Sequence, residues 1–175
     1  MKMGKSTRWK VWLTILDFKV CMECKTKHGK IRSRKEALFD MPPLHEYCRC
    51  TQPDVETKTA GKATDNSING ADYWLYYFKK LPEYYVSFSE ARALGWNPEE
   101  GNLAEICPGM MIARGRFRNS KGLLPAAPDR IWYEADINYQ NGYRGKERIL
   151  YSNDGLLFVT YDHYETFYEI VGGIQ

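Results

Sequence analysis

The sequence predicts an α+β fold in which N-terminal helices pack on a twisted antiparallel β-sheet, preceded by a small Cys-rich irregular segment. Three observations lead there. From residue 70 onward helix-like segments come first and strand-like segments last, the order expected when helices and an antiparallel sheet segregate. Four of the five cysteines, Cys21, Cys24, Cys48 and Cys50, lie within the first 50 residues. Between the two pieces, residues 52–69 carry no aromatic side chain and no apolar period, the composition of a flexible linker. The expected organisation is a Cys-rich segment at 1–51, a linker at 52–69 and a second domain at 70–175, whose roughly 100 residues suffice for one core.

In the second domain, ADYWLYYFKK (71–80) reads as a helix stopped by Leu81-Pro82. Residues 87–94 read as a second helix, because Ser87 followed by Glu90 is a capping-box pattern and Gly95 fits the C-terminal stop. A short third helix is expected over 103–106, ended by Pro108-Gly109. Residues 131–137, 148–152, 156–161 and 166–171 are rich in Tyr, Ile, Val, Phe and Trp and read as strands. Asn153-Asp154-Gly155 marks a hairpin turn, since Asp-Gly tolerates the positive φ angles such turns need.

Charge divides the chain in the same way. Residues 1–51 carry 12 Lys/Arg against 5 Asp/Glu, or +7, whereas residues 71–175 carry 11 against 14, or −3. A basic segment suits an acidic or nucleic-acid partner, and equally a solvated face. No apolar run approaches the roughly 18 residues of a membrane span. The opening is basic and then apolar, but Thr14 and Asp17 interrupt it and no small-residue cleavage site follows, so no signal peptide is expected.

Metal-free RNA cleavage needs a base for the 2′-OH proton, an acid for the 5′-oxygen leaving group, and fixed positive charge for the phosphorane oxygens. The second domain has one histidine, His163, two arginines four apart, Arg144 and Arg148, and Glu134 in the apolar run WYEADINY. Residue types alone carry this only weakly. The wording carries it further. ADYWLYYFKKLPEYYVSFSEARALGW, GNLAEICPG, WYEADINYQNGYR and RILYSNDGLLFVTYDHYETF, spanning about 71–171, resemble the barnase-type microbial ribonucleases. The resemblance implies the microbial ribonuclease fold, with Glu134 as general base, His163 as general acid, and Arg144 and Arg148 on the scissile phosphate. It implies Tyr164 beside the base pocket and a base-reading loop containing Phe117, Arg118 and Asn119, with Arg116 adjacent. The implied reaction is transphosphorylation of single-stranded RNA to a 2′,3′-cyclic phosphate and then hydrolysis, with no cofactor.

Three positions depart from the family pattern. Phe88 stands where the family has a lysine supporting the phosphate site, and Gly115 where it has an aspartate. Alternation along a strand would put Arg114 and Arg116 on one face, where one of them replaces the missing lysine; activity is expected to survive at a reduced level. Lys121 stands where the family reads guanine with a glutamate. An ammonium has donors only, so strict guanine preference is not expected.

The first segment contains RWKVWLTILDFKVCMECKTKHGKI and MPPLHEYCRCT, which resemble the C-terminal end of the phage head-morphogenesis family, the Mu F-like minor head proteins. The long helical region that precedes it there is absent here. Cys21-x-x-Cys24 with Cys48 and Cys50, or with His45 as an alternative ligand, has zinc spacing; disulfides or free thiols are the rival readings. His28 is read as a turn residue and Cys107 as an apolar core residue.

Together these readings describe a monomeric polymorphic toxin, a phage-type carrier remnant joined to an endoribonuclease, delivered or virion-associated and acting in a target cytoplasm. They imply an RNA substrate and, by resemblance, a small acidic barstar-like inhibitor covering Arg144, Arg148 and His163. The alternatives are a weakened or inert phage structural protein, supported by Phe88 and Gly115, and a module that binds RNA without turnover through Phe117 and Tyr164.

Overall fold

The computed structural model describes residues 4–173. The chain divides into two compact units. One takes the residues up to Thr57 together with Asn119–Pro128; the other takes Lys58–Arg118 and the residues from Asp129 onward.

The first unit is regular where an irregular segment was expected. Strand β1 (Gly4–Val11) leads to helix α1 (Met22–Lys27), β2 (Ile31–Ser33), α2 (Arg34–Ala37) and β3 (Asp54–Thr59). β1 is the central strand of three. It pairs antiparallel with β2, Val11 opposite Ile31, and with β3, Gly4 opposite Thr57. Ser33 and Glu36 form a reciprocal capping box at α2, and Cys21 caps α1 by accepting the Cys24 N–H at 3.4 Å. Trp12 is fully buried against Cys24 and Cys50. Asp54 ties the strands together by pairing with Lys10 at 3.0 Å and Arg34 at 2.6 Å. Residues 119–128 complete this unit. The Ile31 N–H donates to the Leu123 carbonyl at 2.7 Å. Asn119 grips Leu124 at both ends, donating to its carbonyl at 2.8 Å and accepting its N–H at 3.0 Å.

In the second unit, α3 (Ala71–Phe78) is followed by β4 (Tyr85–Ser87), α4 (Phe88–Ala93), α5 (Leu103–Ile106) and five strands. These are β5 (Met111–Phe117), β6 (Trp132–Asp136), β7 (Arg148–Ser152), β8 (Leu157–Thr160) and β9 (Tyr168–Val171), arranged β9-β8-β7-β6-β5-β4. The helices and the last four strands match the sequence expectations, and the Ser87–Glu90 capping box is present. β4 and β5 are additional. β4 joins β5 in parallel, Tyr85 opposite Met111, so the sheet is mixed rather than wholly antiparallel.

The segment read as a linker is folded. β3 runs through it, Ala60 N–H donates to the Val171 carbonyl at 2.8 Å, and Ala60 and Ala63 are buried. Small apolar residues and one buried valine, Val55, do here what aromatic residues do elsewhere, which is why composition misread it. Asp72 organises the turn that follows. Its buried carboxylate accepts the N–H of Gly61 at 2.7 Å, the N–H of Ala63 at 2.9 Å and the Thr64 hydroxyl at 2.8 Å.

Strand alternation divides the sheet of the second unit into two faces. Ala135, Ile149, Leu157 and Val159 pack with Leu75 of α3 in the core. The other face carries Trp132, Glu134 and Asp136 of β6, with Leu150 opposite Glu134 and Arg148 opposite Asp136. Among the described residues no helix is long and apolar enough to cross a membrane.

Removing the Asp72 carboxylate strands three donors in a buried turn. Asp72→Ala is expected to cost about 3–5 kcal/mol, read as a lower midpoint in urea unfolding with an unchanged slope.

Candidate active site

The polar face of β6 is built by register. Asp136 is almost completely buried and lies directly across from Arg148. Its two oxygens take Arg144 in a bidentate pair, Nε at 2.5 Å and Nη2 at 2.6 Å. Arg148 Nε stands 3.2 Å from the same carboxylate, close enough for ion pairing but off the hydrogen-bond axis. Arg148 Nη1 instead donates to the carbonyls of Gly145 at 2.8 Å and Glu147 at 2.7 Å. Arg144 loses hydration by burial, yet its bonds to Asp136 outweigh that and raise its pKa further. Both guanidinium groups are thus fixed in direction.

Glu134, two residues back on the same face and also buried, is the next carboxylate along β6. The Tyr164 hydroxyl donates to its Oε2 at 2.5 Å, and Arg114 Nε lies 3.3 Å from its Oε1. Burial, together with the Glu134 bond, pushes the Tyr164 phenol up to about 12, so it remains a donor across the neutral range. The Tyr164 ring stacks on Phe117, centroids 5.4 Å apart, and the His163 ring lies 4.7 Å from it. Aromatic contact therefore links the end of β5 to the histidine loop.

Arg114 reaches Glu134 because β5 is irregular. Ala113 faces Ala135 and Gly115 faces Glu134, so Arg114 is the extra residue of a bulge. Gly115 adopts φ +78°, and a Cβ there would touch nothing, so conformation and not space calls for glycine. The bulge overturns the simple alternation expected of this strand. Arg116 faces Tyr133, on the side of the sheet away from Glu134. Only Arg114 joins the carboxylate.

The loop after β8 is shaped by one short network. Thr160 Oγ1 donates to Asp162 Oδ1 at 2.9 Å, and the same oxygen accepts the N–H groups of Glu165 at 3.1 Å and Thr166 at 2.8 Å. Thr160 Oγ1 also accepts the Tyr164 N–H at 2.9 Å. Within it His163 and Tyr164 take consecutive left-handed conformations, φ +61° and +74°, which cost about 1–3 kcal/mol each in non-glycine residues. His163 remains exposed.

The family model described as ribonuclease matches residues 54–171. The chain belongs to the ribonuclease family. A ribonuclease of Bacillus pumilus is 46% identical over 138 residues, covering 73% of this chain and 85% of the relative. That of Heyndrickxia coagulans is 46% identical over 108 residues, 62% of this chain and 99% of the relative. A Bacillus intermedius ribonuclease is also 46% identical over 108 residues, 62% of this chain and 67% of its own length.

In this ribonuclease the structure brings together Glu134, Tyr164, Phe117 and Arg114, and joins Arg144 to Arg148 through Asp136. Arg118 and Lys121 are exposed, and Asn119 is engaged by Leu124 in the first unit. Phe88 is given over to packing, edge-on to Trp96 with centroids 4.9 Å apart. Asp136 was missed in the sequence, although its spacing of two from Glu134 signalled a shared strand face. Of the cysteines, Cys107 is a buried core residue as expected. The other four are free thiols, and they gather in two overlapping groups: Cys21, Cys24 and His45, and Cys24, Cys48 and Cys50. This is a possible metal-binding group. His28 is a turn residue, its Nδ1 accepting the Thr14 N–H at 3.1 Å.

Asp162 is partly desolvated, but its hydrogen bonds from Thr166, Thr160 and Glu165 prevail and hold its carboxyl below the usual range. Its stabilisation of the histidine loop is therefore full above the unfolded value of about 3.9 and is lost as pH falls through the lower folded value. Protection of the Glu165 and Thr166 amides, measured against their intrinsic exchange rates at each pH, is expected to be lost in that acid window, and in Asp162→Ala to be lost at every pH.

Proposed function

We propose that this protein is an endoribonuclease that cleaves single-stranded RNA without a metal ion, by transphosphorylation to a 2′,3′-cyclic phosphate followed by hydrolysis. The observation that carries the reading is the shared polar face: a carboxylate, Glu134, in one row with the Asp136-fixed pair Arg144 and Arg148, and linked through Tyr164 to His163. Glu134 takes the proton of the 2′-hydroxyl, whose oxygen attacks phosphorus. His163 gives a proton to the departing 5′-oxygen. Arg144 and Arg148 balance the charge that builds on the phosphorane oxygens. Water then opens the cyclic phosphate with the two proton-transfer roles reversed. Tyr164 orients Glu134, and its stacking with Phe117 gives a base an aromatic neighbour.

Arg114 is the cation that stands in for the lysine absent at Phe88. Its 3.3 Å approach to Glu134 supports that role, and the orientation of Arg116 does not. Phe117, Arg118 and Asn119 remain the proposed base-reading residues, and Lys121 the reason for a relaxed base preference. The wider reading is a toxin with a phage head-morphogenesis-like N-terminal segment, held in check by a small acidic barstar-like partner that covers Arg144, Arg148 and His163. The second reading, a weakened enzyme or an RNA binder without turnover, draws its support from Phe88, whose ring occupies an apolar cluster with Trp96.

Cleavage of a mixed-sequence RNA in EDTA tests both readings. Wild type is expected to leave 2′,3′-cyclic ends, and Glu134→Gln and His163→Gln each to lower the rate by about 10²–10⁴-fold. Folded wild type that binds RNA and leaves it intact would favour the second reading. Arg114→Ala is expected to slow turnover by about 10²-fold and Arg116→Ala to leave it unchanged; equal effects would end the substitution argument. Fragment ends are expected to include bases other than guanine, and Lys121→Glu to enrich guanine.

A further inference from the structure

The first unit contains a donor cluster that RNA cleavage does not use. Cys21 Sγ lies 3.1 Å from His45 Nε2, Cys24 Sγ lies 3.2 Å from it, and Cys24 and Cys48 sulfurs are 3.8 Å apart. A tetrahedral zinc ion with Zn–S near 2.3 Å and Zn–N near 2.0–2.1 Å separates two sulfurs by about 3.8 Å, and a sulfur from a nitrogen by about 3.5 Å. The Cys24–Cys48 spacing matches, the sulfur–nitrogen distances fall a few tenths short, and the donors close up as two groups, Cys21–Cys24–His45 and Cys24–Cys48–Cys50, that share Cys24. His45 is also pre-set as a ligand. Its Nδ1 lies 2.7 Å from the Glu46 carbonyl oxygen, which accepts only, so Nδ1 carries the proton and Nε2 offers its lone pair to the sulfurs. The ligands come in two short turns. Cys21 caps α1 over Cys24, and the Cys48 N–H donates to the His45 carbonyl at 3.1 Å. Cys50 is the surplus donor, buried against Trp12.

The cluster is wired to a distant part of the sequence within the same unit. Trp12 packs its ring on Cys24, while its backbone N–H donates to the Lys30 carbonyl at 3.0 Å and its backbone carbonyl accepts the Gly29 N–H at 2.8 Å. The next residue, Ile31, donates to Leu123. Leu124 beside it is buried and clamped by Asn119. We infer that Cys21, Cys24, His45 and Cys48 hold a structural zinc ion, and that this ion orders residues 119–128 through Trp12 and Ile31. The cysteines bind as thiolates and release their protons to solvent. Because the unit is small, a closed metal centre supplies order that its limited core does not. The segment it orders follows Phe117 and Arg118 directly in the chain.

The test uses the full-length protein, purified under reducing conditions, loaded with zinc and dialysed, with elemental analysis and amide exchange as readouts; neither depends on RNA cleavage. About one zinc per chain is expected, falling to background in Cys24→Ser and His45→Ala and retained in Cys50→Ser. With free zinc at about 100 times its dissociation constant, exchange at Ile31 and Leu124 is expected to be about a hundredfold slower than after chelation. Exchange in β6, β7 and β8 should be unaffected. The chelation arm uses wild type alone, so it holds even where Cys24→Ser fails to fold. Absence of retained zinc, or retention that survives both Cys24→Ser and His45→Ala, would overturn the metal site. Unchanged exchange at Leu124 on chelation would overturn its role in ordering the loop.

Discussion

The polar face of the second unit depends on one buried carboxylate. Asp136 sits in the middle of a sheet, is nearly without solvent, and faces two guanidinium groups. A charge so placed is tolerated only when paired, because its desolvation otherwise costs several kcal/mol. The pairing acts in both directions. Arg144 and Arg148 make Asp136 tenable, and Asp136 keeps both arginines on the sheet surface, where flexible side chains would otherwise wander through many rotamers. Arg144 Nη1 and Arg148 Nη2 have no acceptor among the described residues, so each cation keeps donors for an incoming anion. The net charge of the triad is +1, which suits a phosphate ester.

A second constraint is the bulge at Arg114. A regular β5 would send Arg114 and Arg116 to the same side of the sheet. The left-handed Gly115 inserts one residue and turns Arg114 toward Glu134. The bulge therefore brings the Arg114 guanidinium to the carboxylate. The Phe88 ring packs on the Val86–Ala91–Trp96 cluster, and Arg144 lies over the Trp96 ring at 5.9 Å. The two positions are thus set by different physics, packing at Phe88 and backbone geometry at Gly115.

Much of the second unit was legible in the sequence because its signals are local. The Ser87–Glu90 cap, the Asp154-Gly155 turn and the aromatic strands each declare themselves within a few residues. Glu134, His163 and the Arg144/Arg148 pair stand out in the sequence as residue types within motifs. What was hidden depends on pairing across the sheet. Asp136 matters because register sets it opposite Arg148, and Arg114 because of a bulge that only the partner strand reveals. β3 was hidden for another reason: its side chains are Asp, Glu, Thr, Lys and one Val, so it reads as polar, and its order comes from its neighbours. The cysteine cluster was legible in spacing, but the pairing of His45 with Cys21 and Cys24 was not, because it needs the chain to fold back from Leu44 onto α1.

The membership of residues 119–128 in the first unit has a consequence for how the protein is made. The stretch that opens the chain cannot finish folding when it leaves the ribosome, because the strand edge at Ile31 waits for Leu123, nearly a hundred positions later. Domains generally mature in the order of synthesis; here that order is interrupted. The first unit is begun early and closed late, after all three described α-helices of the second unit have been made, so a nascent chain halted before residue 119 carries an unfinished first unit.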